Sequence, residues 1–435
     1  MLAMREILVQ LYWAAIDAAR GERVLRDQSC LDGDLWRYQA ADSTLEIPLP
    51  TNSGRIVVAG AGKAAASLAR GLEPMFGDRI AAGLVIVKHG HGFPLQRIEM
   101  REAAHPIPDA TSVEATRALI RMLESTAPDD LVFFLLTGGA SSLLCAPADG
   151  ITLEDKAVAT DLLLHSGADI REMNVVRKQL SAVKGGRLRA RIGARRVCTL
   201  AISDVVGDDA QIIGSGPTVP DLSTSDDALA VIQRYGMSGR MPPHVIDHLQ
   251  RPTTLALSSA AGDSYRIVAS NRAALAACAR LARDLGCDVT VLTDRMTGDT
   301  REAAARFSAA VIEHAADPGN RPHVVLAGGE TTLRVSGTGR GGRNQEFALR
   351  AALALDGIRN VAMLAAGTDG TDGPTDAAGG FADGATVVRA RVAGVDIQQH
   401  LACNDAYPLL DGLHDLFRTG PTGTNVMDIA IAIIW

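Results

Sequence analysis

The sequence predicts an α/β protein with two three-layer α/β/α domains, mostly parallel sheets and a Rossmann-like N-terminal domain. Apolar segments of strand length alternate with helical segments along the 435 residues. The composition of 47% hydrophobic and 4% aromatic residues, with 43 glycines, is typical of an α/β protein with many turns. Several apolar segments run directly into glycine turns, as strands do where α/β sheets bind ligands. We predict a domain boundary near residue 250, between 1–250 and 251–435.

Composition limits the classes of partner. A net charge of -7 gives no general reason to expect nucleic acid or an acidic membrane surface. The six cysteines form no CxxC pair, so neither zinc nor a disulfide framework is predicted. No apolar run reaches the roughly 18 residues of a membrane span, and the N-terminal helix carries charges throughout. We expect a cytoplasmic protein that binds small molecules. The sequence leaves open whether it forms a homodimer.

The segment 56–71, IVVAGAGKAAASLARG, has the strongest signal for a ligand site. A buried strand meets a turn with Gly60 and Gly62, and a helix follows. Such a turn brings backbone N–H groups and a helix N-terminus close to a phosphate, and Lys63 adds a positive charge. The alternative is an ordinary helix-start turn with a solvated lysine.

Two familiar nucleotide motifs can be tested against this segment. A Walker motif requires glycine where the chain has Val57, and Ser or Thr where it has Ala64. A dinucleotide fingerprint fits Gly60 and Gly62 better, but it needs an acid at the end of the next strand, which instead ends in Lys88. The turn therefore suits a phosphate, without the ribose anchor of NAD.

A second strand, 131–136, leads into a turn of small and hydroxyl-bearing residues. The residues of interest there are Thr137, Gly138, Gly139 and Ser141. Exposed amides and hydroxyls at a strand's carboxyl end are typical of an oxyanion cradle, although a plain tight turn explains the pattern equally well.

Two further helices are predicted from the spacing of capping boxes. Thr152 with Asp155, and Asp169 with Glu172, have this spacing, and each pair is expected to begin a helix.

A basic cluster follows on the second of these predicted helices. Arg177 and Lys178 lie three and four positions after Asn174, hence on one helical face. In an acidic chain this local positive charge suits a carboxylate or phosphate, and a solvated face is the alternative. Ser215 and Gly216 lie in a later, amide-rich turn that could contribute to the same site.

Aspartates follow two other predicted strands. Asp204 and Asp208 come after strand 197–202, and Asp369 and Asp372 after strand 361–366. Carboxylates in such positions can hold Mg²⁺ or accept a proton. Aspartates also favour turns for their own hydrogen bonds, and that interpretation remains open.

The C-terminal half has its own glycine-rich loop. A strand over 323–327 ends near Glu330, and the later glycines Gly341 and Gly342 precede a helix that begins about Asn344. Arg343 would project from this loop at a helix N-terminus, where a guanidinium can bridge phosphate oxygens.

Taken together, these motifs resemble the type 2 glycerate kinases, which combine a kinase-family N-terminal region with a MOFRL domain. The matching stretches include GAGKAA at 60–65, LLTGGASSLL at 135–144, NVVRKQLSAVKGGRL at 174–188, SDVVGDD at 203–209, GGRNQE at 341–346, GTDGTDGPTDAAG at 367–379 and TGPTGTNV at 419–426. The resemblance implies ATP-dependent, Mg²⁺-assisted phosphorylation of D-glycerate to 2-phosphoglycerate. The alternative is an NAD(P)H-dependent hydroxypyruvate reductase, an older label in this family.

The resemblance also implies roles for the residues, in an active site within the interdomain cleft. Lys63 and Arg343 would flank the transferred phosphoryl group from opposite domains. The turns at 137–142 and 214–217, or Arg177 or Lys178, would bind the substrate carboxylate. One aspartate would orient the attacking hydroxyl and others would hold metal; we assign Asp204 and Asp369 to catalysis and Asp208 and Asp372 to Mg²⁺, although the sequence does not separate these roles.

Overall fold

The structure is a computed structural model that describes residues 2–40, 43–51, 53–251, 261–317 and 319–435. In chain order the strands are β1 Ser29–Asp32, β2 Leu35–Gln39, β3 Thr44–Pro48, β4 Ile56–Ala61, β5 Ile80–Lys88, β6 Glu99–Ala103, β7 Leu131–Leu136, β8 Arg196–Ile202, β9 Ser264–Ala269, β10 Asp288–Met296, β11 His323–Gly329, β12 Val361–Gly367, β13 Gly379–Asp383, β14 Leu416–Phe417 and β15 Asp428–Ile434. The helices are α1 Leu2–Asp17, α2 Gly21–Gln28, α3 Ala65–Phe76, α4 Ala110–Glu124, α5 Ala140–Leu143, α6 Leu153–Leu164, α7 Ile170–Gln179, α8 Ser225–Arg234, α9 Pro243–Leu249, α10 Asn271–Asp284, α11 Thr300–Ala316, α12 Arg343–Ala354, α13 Thr386–Val392, α14 Ile397–Ala402 and α15 Ala406–Gly412.

The chain forms two compact units, and each contains segments that are separate in sequence. The N-terminal unit comprises Leu25–Ile202 and Asp208–Val268, and the C-terminal unit comprises Met1–Val24, Ser203–Gly207 and Ala269–Trp435. The division in the structure therefore differs from a single cut near residue 250. The first helix and a five-residue segment after β8 belong with the C-terminal unit.

The N-terminal unit is built on a six-stranded sheet in the order β6-β5-β4-β7-β8-β9. The pairs β6–β5, β5–β4, β4–β7 and β7–β8 are parallel. Numbered along the chain within this sheet, the order is 3-2-1-4-5-6, which is that of a doubly wound Rossmann sheet. The strand order reverses between β4 and β7, and such a switch point is where open α/β sheets bind ligands.

The two central strands occupy their positions because they are apolar on both faces. Every residue of β4 and β7 is buried, as expected for parallel strands covered by helices on both sides. Burial of side chains such as Phe133 and Phe134 stabilises the core by roughly 1.5–3 kcal/mol each. The ends of these two strands are thereby held on a rigid base.

A three-stranded antiparallel sheet, β1-β2-β3, also belongs to this unit and was not predicted from the sequence. Its middle strand alternates, with Trp36 and Tyr38 buried and their neighbours partly exposed. The Trp36 ring meets Phe133 edge to face at 5.3 Å between centroids. The small sheet thus contributes an aromatic layer to the main core.

Helices α6 to α9 form a helical part of the same unit. The predicted capping boxes are confirmed: Thr152 with Asp155 opens α6, and Asp169 with Glu172 opens α7. Apolar residues from these helices form one buried cluster. This packing sets the orientation of the buried faces of α6 and α7.

The C-terminal unit has a six-stranded sheet in the order β10-β11-β15-β12-β13-β14. The closing strand β15 lies antiparallel between β11 and β12, an insertion that the sequence pattern did not predict. Helix α1 packs against α10 and β15, as expected for a helix that covers one sheet face. With both units taken together, the predicted fold class of two α/β domains with mostly parallel sheets is confirmed. In the described part of the chain, no helix combines the length and apolarity needed to span a membrane.

Candidate active site

In the N-terminal unit, the turns after β4 and β7 are hydrogen-bonded to each other at the switch point. The Lys63 amide donates to the Gly138 carbonyl at 2.8 Å, and the Ala64 amide donates to the Thr137 hydroxyl at 3.0 Å. Gly62 has φ +135°, and a Cβ there would strike Thr137, so this position requires glycine. The two predicted turns therefore form one structure, with Gly60 buried in β4 just before them.

Lys63 is half-buried beside this junction. Gly139 has φ +84°, and a Cβ on it would lie 3.0 Å from the His105 ring and 3.2 Å from Lys63 Cγ. The stem of Lys63 therefore runs over Gly139 next to His105. A larger residue at 139 would displace both side chains.

Ser141 is the centre of a polar cluster that contains three of the predicted site residues. Its hydroxyl accepts from Arg177 Nη2 at 2.8 Å and from Lys184 Nζ at 2.8 Å, and it lies 3.1 Å from the Ser215 hydroxyl. Lys184 also donates to the Ser141 carbonyl, and Arg177 Nη1 is 3.4 Å from Asn174 Oδ1. Arg177, Ser141 and Ser215 are thus brought together.

The backbone fixes the position of Lys184 in this cluster. The amides of Gly185 and Gly186 donate to the carbonyls of Ser215 at 2.9 Å and Gly216 at 2.7 Å. The loop that carries Lys184 is therefore bound to the predicted turn at 214–217. This places Gly216 in a supporting role, behind the polar cluster.

Lys178 does not join this cluster. Its Nζ lies 3.1 Å from Asp221 Oδ1, and the two side chains are only 8% and 5% exposed. We predicted that Arg177 and Lys178 lie on one helical face. Consecutive helix residues are rotated by about 100°, and this rotation points the two cations at different partners. Lys178 is held in a buried ion pair.

Sequence reasoning missed a further cation, Lys156 on α6. The residue is only 9% exposed, and its amine has no hydrogen-bond or ion-pair partner in the described ranges of the chain. The sequence did contain a signal for it. Ala159 and Leu163 follow Lys156 at i+3 and i+7, so Lys156 lies on the buried apolar face of the helix, where a lysine is unusual.

Lys156, Arg177 and Lys184 line one cavity of about 420 Å³ in the N-terminal unit. We call it the basic pocket; its further lining comes from the 106–108 segment, Ser141, Ser142, Cys145, Leu180 and residues of α6 from Ala157 to Leu164. The one carboxylate in its lining, Asp161, has a side chain that is 71% exposed. The pocket therefore combines three cations with largely apolar walls.

The charges in the basic pocket are not matched within the part of the protein that the structure describes. Burial lowers the pKa of Lys184 well below its usual value, and Arg177 and Lys156 lower it further. Burial likewise lowers the pKa of Lys156 and of Arg177. A group that is costly to charge in a buried site is stabilised by an opposite charge. The arrangement can therefore bind an anion.

The C-terminal unit presents a different site around Arg343, the first residue of α12. Arg343 Nε and Nη2 donate to the two Asp428 oxygens at 2.6 and 3.0 Å, and Nη1 is 2.8 Å from Glu330. Burial works against the positive charge, but Asp428 and Glu330 outweigh it and raise the pKa of Arg343. Asp428, which the sequence pattern did not indicate as a site residue, is 1% exposed.

Asp372 occupies the N-terminus of α12. Its two oxygens accept from the amides of Asn344 at 3.1 Å and Gln345 at 2.9 Å, and the Asn344 side chain reaches both Asp372 and Asp428. Burial raises the pKa of Asp372 to about 6. The helix amides that we expected to meet a phosphate, beside Gly341 and Gly342, thus already have an anionic partner.

Each of the other predicted aspartates has its own local setting. Asp369 accepts from the amide and hydroxyl of Thr371, each at 3.0 Å, which is the turn-forming role noted as an alternative. Asp204 accepts from Asn425 Nδ2 at 3.3 Å. Asp208 lies in the N-terminal unit with φ +59°. Within the described residues, no group of three or more His, Cys, Asp or Glu side chains is arranged to hold a metal ion.

These residues differ in how well they fit ATP, glycerate and Mg²⁺, the groups that the resemblance implies. The basic pocket and Lys63 suit phosphate or carboxylate oxygens. Protein Mg²⁺ sites commonly use one or two carboxylates together with substrate phosphates, and Asp204 and Asp208 each carry a carboxylate that is only partly buried. Such carboxylates could hold a nucleotide-bound ion without a dedicated cluster.

Comparison with known proteins gives matches over the whole chain. Residues 7–250 match a family described as a domain of unknown function, DUF4147, and residues 323–428 match the MOFRL family. A D-glycerate 2-kinase of Thermotoga maritima is 40% identical over 90% of this chain and 94% of its own length. A glycerate 2-kinase of Pyrococcus horikoshii is 38% identical over 100% and 98%.

A protein of Agrobacterium vitis, provisionally named hydroxypyruvate reductase, is 42% identical over 88% of this chain and 100% of its own. Among solved structures, a glycerate kinase of Thermotoga maritima matches with a TM-score of 0.86 and 36% identity over the full length of both chains. With this sequence similarity, domain pair and fold, the chain belongs to the glycerate kinase family that combines DUF4147 and MOFRL domains.

Proposed function

We propose that the protein is a glycerate 2-kinase, which transfers the γ-phosphoryl group of ATP to the 2-hydroxyl of D-glycerate and forms 2-phosphoglycerate and ADP. The observation that carries this proposal is the 40% identity to a D-glycerate 2-kinase over 94% of that protein. We further propose that the enzyme is cytoplasmic and uses Mg²⁺, which would neutralise charge on the phosphate oxygens.

The basic pocket supports the choice of a carboxylate substrate. Arg177 and Lys184 both point at Ser141, so a carboxylate that replaces the hydroxyl as their partner would gain charge-assisted hydrogen bonds. We propose that the glycerate carboxylate binds there.

Phosphoryl transfer requires positioning and positive charge rather than covalent help from the protein. We assign Lys63 and Arg343 to the moving phosphoryl group. In the case of Arg343, buried Asp428 fixes the plane of the guanidinium while Glu330 is the partner that is 45% exposed. Exchange of Glu330 for a phosphate oxygen would leave the Asp428 contact in place.

The contacts change one of the roles that the resemblance implied. Both oxygens of Asp372 are engaged by α12, so we now assign this residue to anchoring that helix and orienting Asn344. We still assign Asp204 or Asp369 to orienting the attacking hydroxyl, and Asp208 to binding the metal ion. Substitution of each aspartate by Asn distinguishes these roles. Loss of the base should lower kcat, whereas loss of a metal ligand should shift the dependence of the rate on Mg²⁺ concentration.

The competing activity is reduction of hydroxypyruvate, which the name of the Agrobacterium relatives suggests. The second strand of the Rossmann sheet, β5, ends in Lys88, and the acid that would anchor an NAD ribose is missing there. This feature favours the kinase.

One assay distinguishes the two activities. Purified protein is given D-glycerate, ATP and Mg²⁺, ADP is measured, and the product is passed to enolase; a parallel reaction contains hydroxypyruvate with NADH or NADPH. We expect one ADP per glycerate and a product that enolase converts. Oxidation of the nicotinamide without ADP formation, or a product inert to enolase, would overturn the assignment.

A further inference from the structure

The basic pocket holds more positive charge than one carboxylate can match. Arg177 and Lys184 converge on Ser141, whereas Lys156 enters from α6 and has no partner in the described residues. Glycerate carries a single negative charge, which leaves Lys156 without a counterion. An uncompensated buried cation is strongly unfavourable. Its presence calls for a ligand with further negative charge.

The volume of the pocket leads to the same conclusion. A cavity of about 420 Å³ lies in the range of small-molecule sites, and glycerate fills only part of it. The remaining walls are largely apolar, with Pro106, Pro108 and Leu163 among them. The one carboxylate of the lining, Asp161, has a side chain that is 71% exposed, so it does not neutralise the buried cations. Because these walls exclude water, the attraction between a buried cation and a bound anion is stronger than it would be in water.

We propose that the basic pocket binds a small organic acid that also carries a phosphate group, and that Lys156 is the residue that distinguishes this ligand from the unphosphorylated acid. The identity of the ligand rests on the proposed function: for a glycerate 2-kinase it is the product, 2-phosphoglycerate. The pocket then retains the product more tightly than the substrate, and 2-phosphoglycerate inhibits the enzyme by competing with glycerate.

Charge balance gives this binding a second signature. Lys184 faces Arg177, Lys156 and the Cys145 thiol, with Asp161 at the mouth of the pocket. Burial lowers the pKa of Lys184 in the free protein, and an anion in the pocket would raise it. Binding should therefore take up protons, and affinity should fall as the pH rises.

The test is titration calorimetry of the full-length protein with 2-phosphoglycerate, D-glycerate, inorganic phosphate and ADP. Wild type should bind 2-phosphoglycerate at least tenfold more tightly than D-glycerate, with proton uptake that is visible as a dependence on the buffer's ionisation enthalpy. Lys156→Met should weaken 2-phosphoglycerate at least tenfold and D-glycerate less than threefold. Lys156→Arg should recover most of the loss.

Arg171→Met is the matched control, because Arg171 is an exposed cation on α7. It should leave all four affinities within twofold. Lys156→Met should also keep or raise the melting temperature, because it removes a buried charge and no carboxylate loses a partner.

The inference is overturned if Lys156→Met leaves the affinity for 2-phosphoglycerate within twofold, or if the variant weakens ADP while 2-phosphoglycerate is unaffected. This failure is separable from that of the proposed function. If the protein lacks glycerate kinase activity but Lys156→Met still weakens binding of 2-phosphoglycerate at least tenfold, the pocket stands and the kinase assignment fails.

Discussion

Arg177 in the N-terminal unit and Arg343 in the C-terminal unit use the same side chain in opposite electrostatic settings. Among the residues that the structure describes, Arg177 donates hydrogen bonds only to neutral oxygens, those of Ser141 and Asn174, and burial lowers its pKa. Arg343 is held by two carboxylates, which raise its pKa in spite of burial. In the described part of the chain no carboxylate pairs with Arg177, so the first site is suited to bind an anion from solution. The second is already neutralised and is suited to hold a cation in a fixed position.

The largest effect that we expect concerns Lys63. Lys63→Ala should lower kcat by about 10²–10³, the size found when one group that stabilises developing charge is removed. The fold should be unaffected, because Lys63 is only half-buried and lies in the turn before α3. Steady-state assays together with circular dichroism check both points. A near-normal kcat in folded protein would remove Lys63 from the mechanism.

Arg343→Ala sharpens the contrast, because it should damage both turnover and stability. Without Arg343 the buried Asp428 carboxylate keeps, among the described residues, only the Asn344 side chain as a partner. Breaking such a buried pair costs about 3 kcal/mol of unfolding free energy. Chemical denaturation measures this loss. In the double variant with Asp428→Asn most of the stability should return while activity stays low.

A double variant as unstable as Arg343→Ala alone would show that Asp428 does not depend on the guanidinium. The account of the second site as a neutralised pair would then be wrong.

Arg177→Met should behave in the opposite way. Removal of a charged hydrogen-bond donor should raise the KM for glycerate by about 10- to 100-fold, with a smaller change in kcat. No carboxylate among the described residues loses a partner, so the melting temperature should be unchanged or higher. The matched comparison is Lys178→Met on the same helix. This variant should destabilise the fold, because buried Asp221 loses its counterion, and its KM for glycerate should rise much less. Equal KM changes in the two variants would contradict the placement of the substrate.

The smallest effect is a pH dependence of stability from Asp372. Burial raises its pKa to about 6 in the folded state, above the unfolded value of about 4. The fold therefore favours the protonated form, and the free energy of unfolding should fall by about 2 kcal/mol as the pH rises from about 4 to 6. Asp372→Asn should remove this part of the slope. An identical pH profile in the variant would show that Asp372 is not the group responsible.

Much of the N-terminal unit could be predicted because its signals are local. Continuous apolar strands, glycine turns and capping boxes each lie within a few residues, and they correctly predicted β4, β7, α6 and α7. The turns that carry Lys63 and Ser141 were found for the same reason. Local periodicity also contained the signal for Lys156, since a buried stripe of α6 includes it.

The rest depends on contacts between residues that are distant in sequence. Arg343 and Asp428 are 85 residues apart, and Asp372 reaches an amide 28 residues away. An aspartate after a strand has the same pattern whether it meets a metal, a turn or a helix N-terminus. The antiparallel insertion of β15 likewise results from strand pairing, which one strand's composition does not specify.

The central claim is that Lys63 and Arg343 serve the same transfer step. Single-turnover rates of phosphoryl transfer in Lys63→Ala, Arg343→Ala and the double variant test it most directly. Groups that act as a unit are strongly non-additive, so the double variant should be little slower than the slower single variant. If the two losses multiply, or if either single variant transfers phosphate at the wild-type rate, the two cations do not share a step.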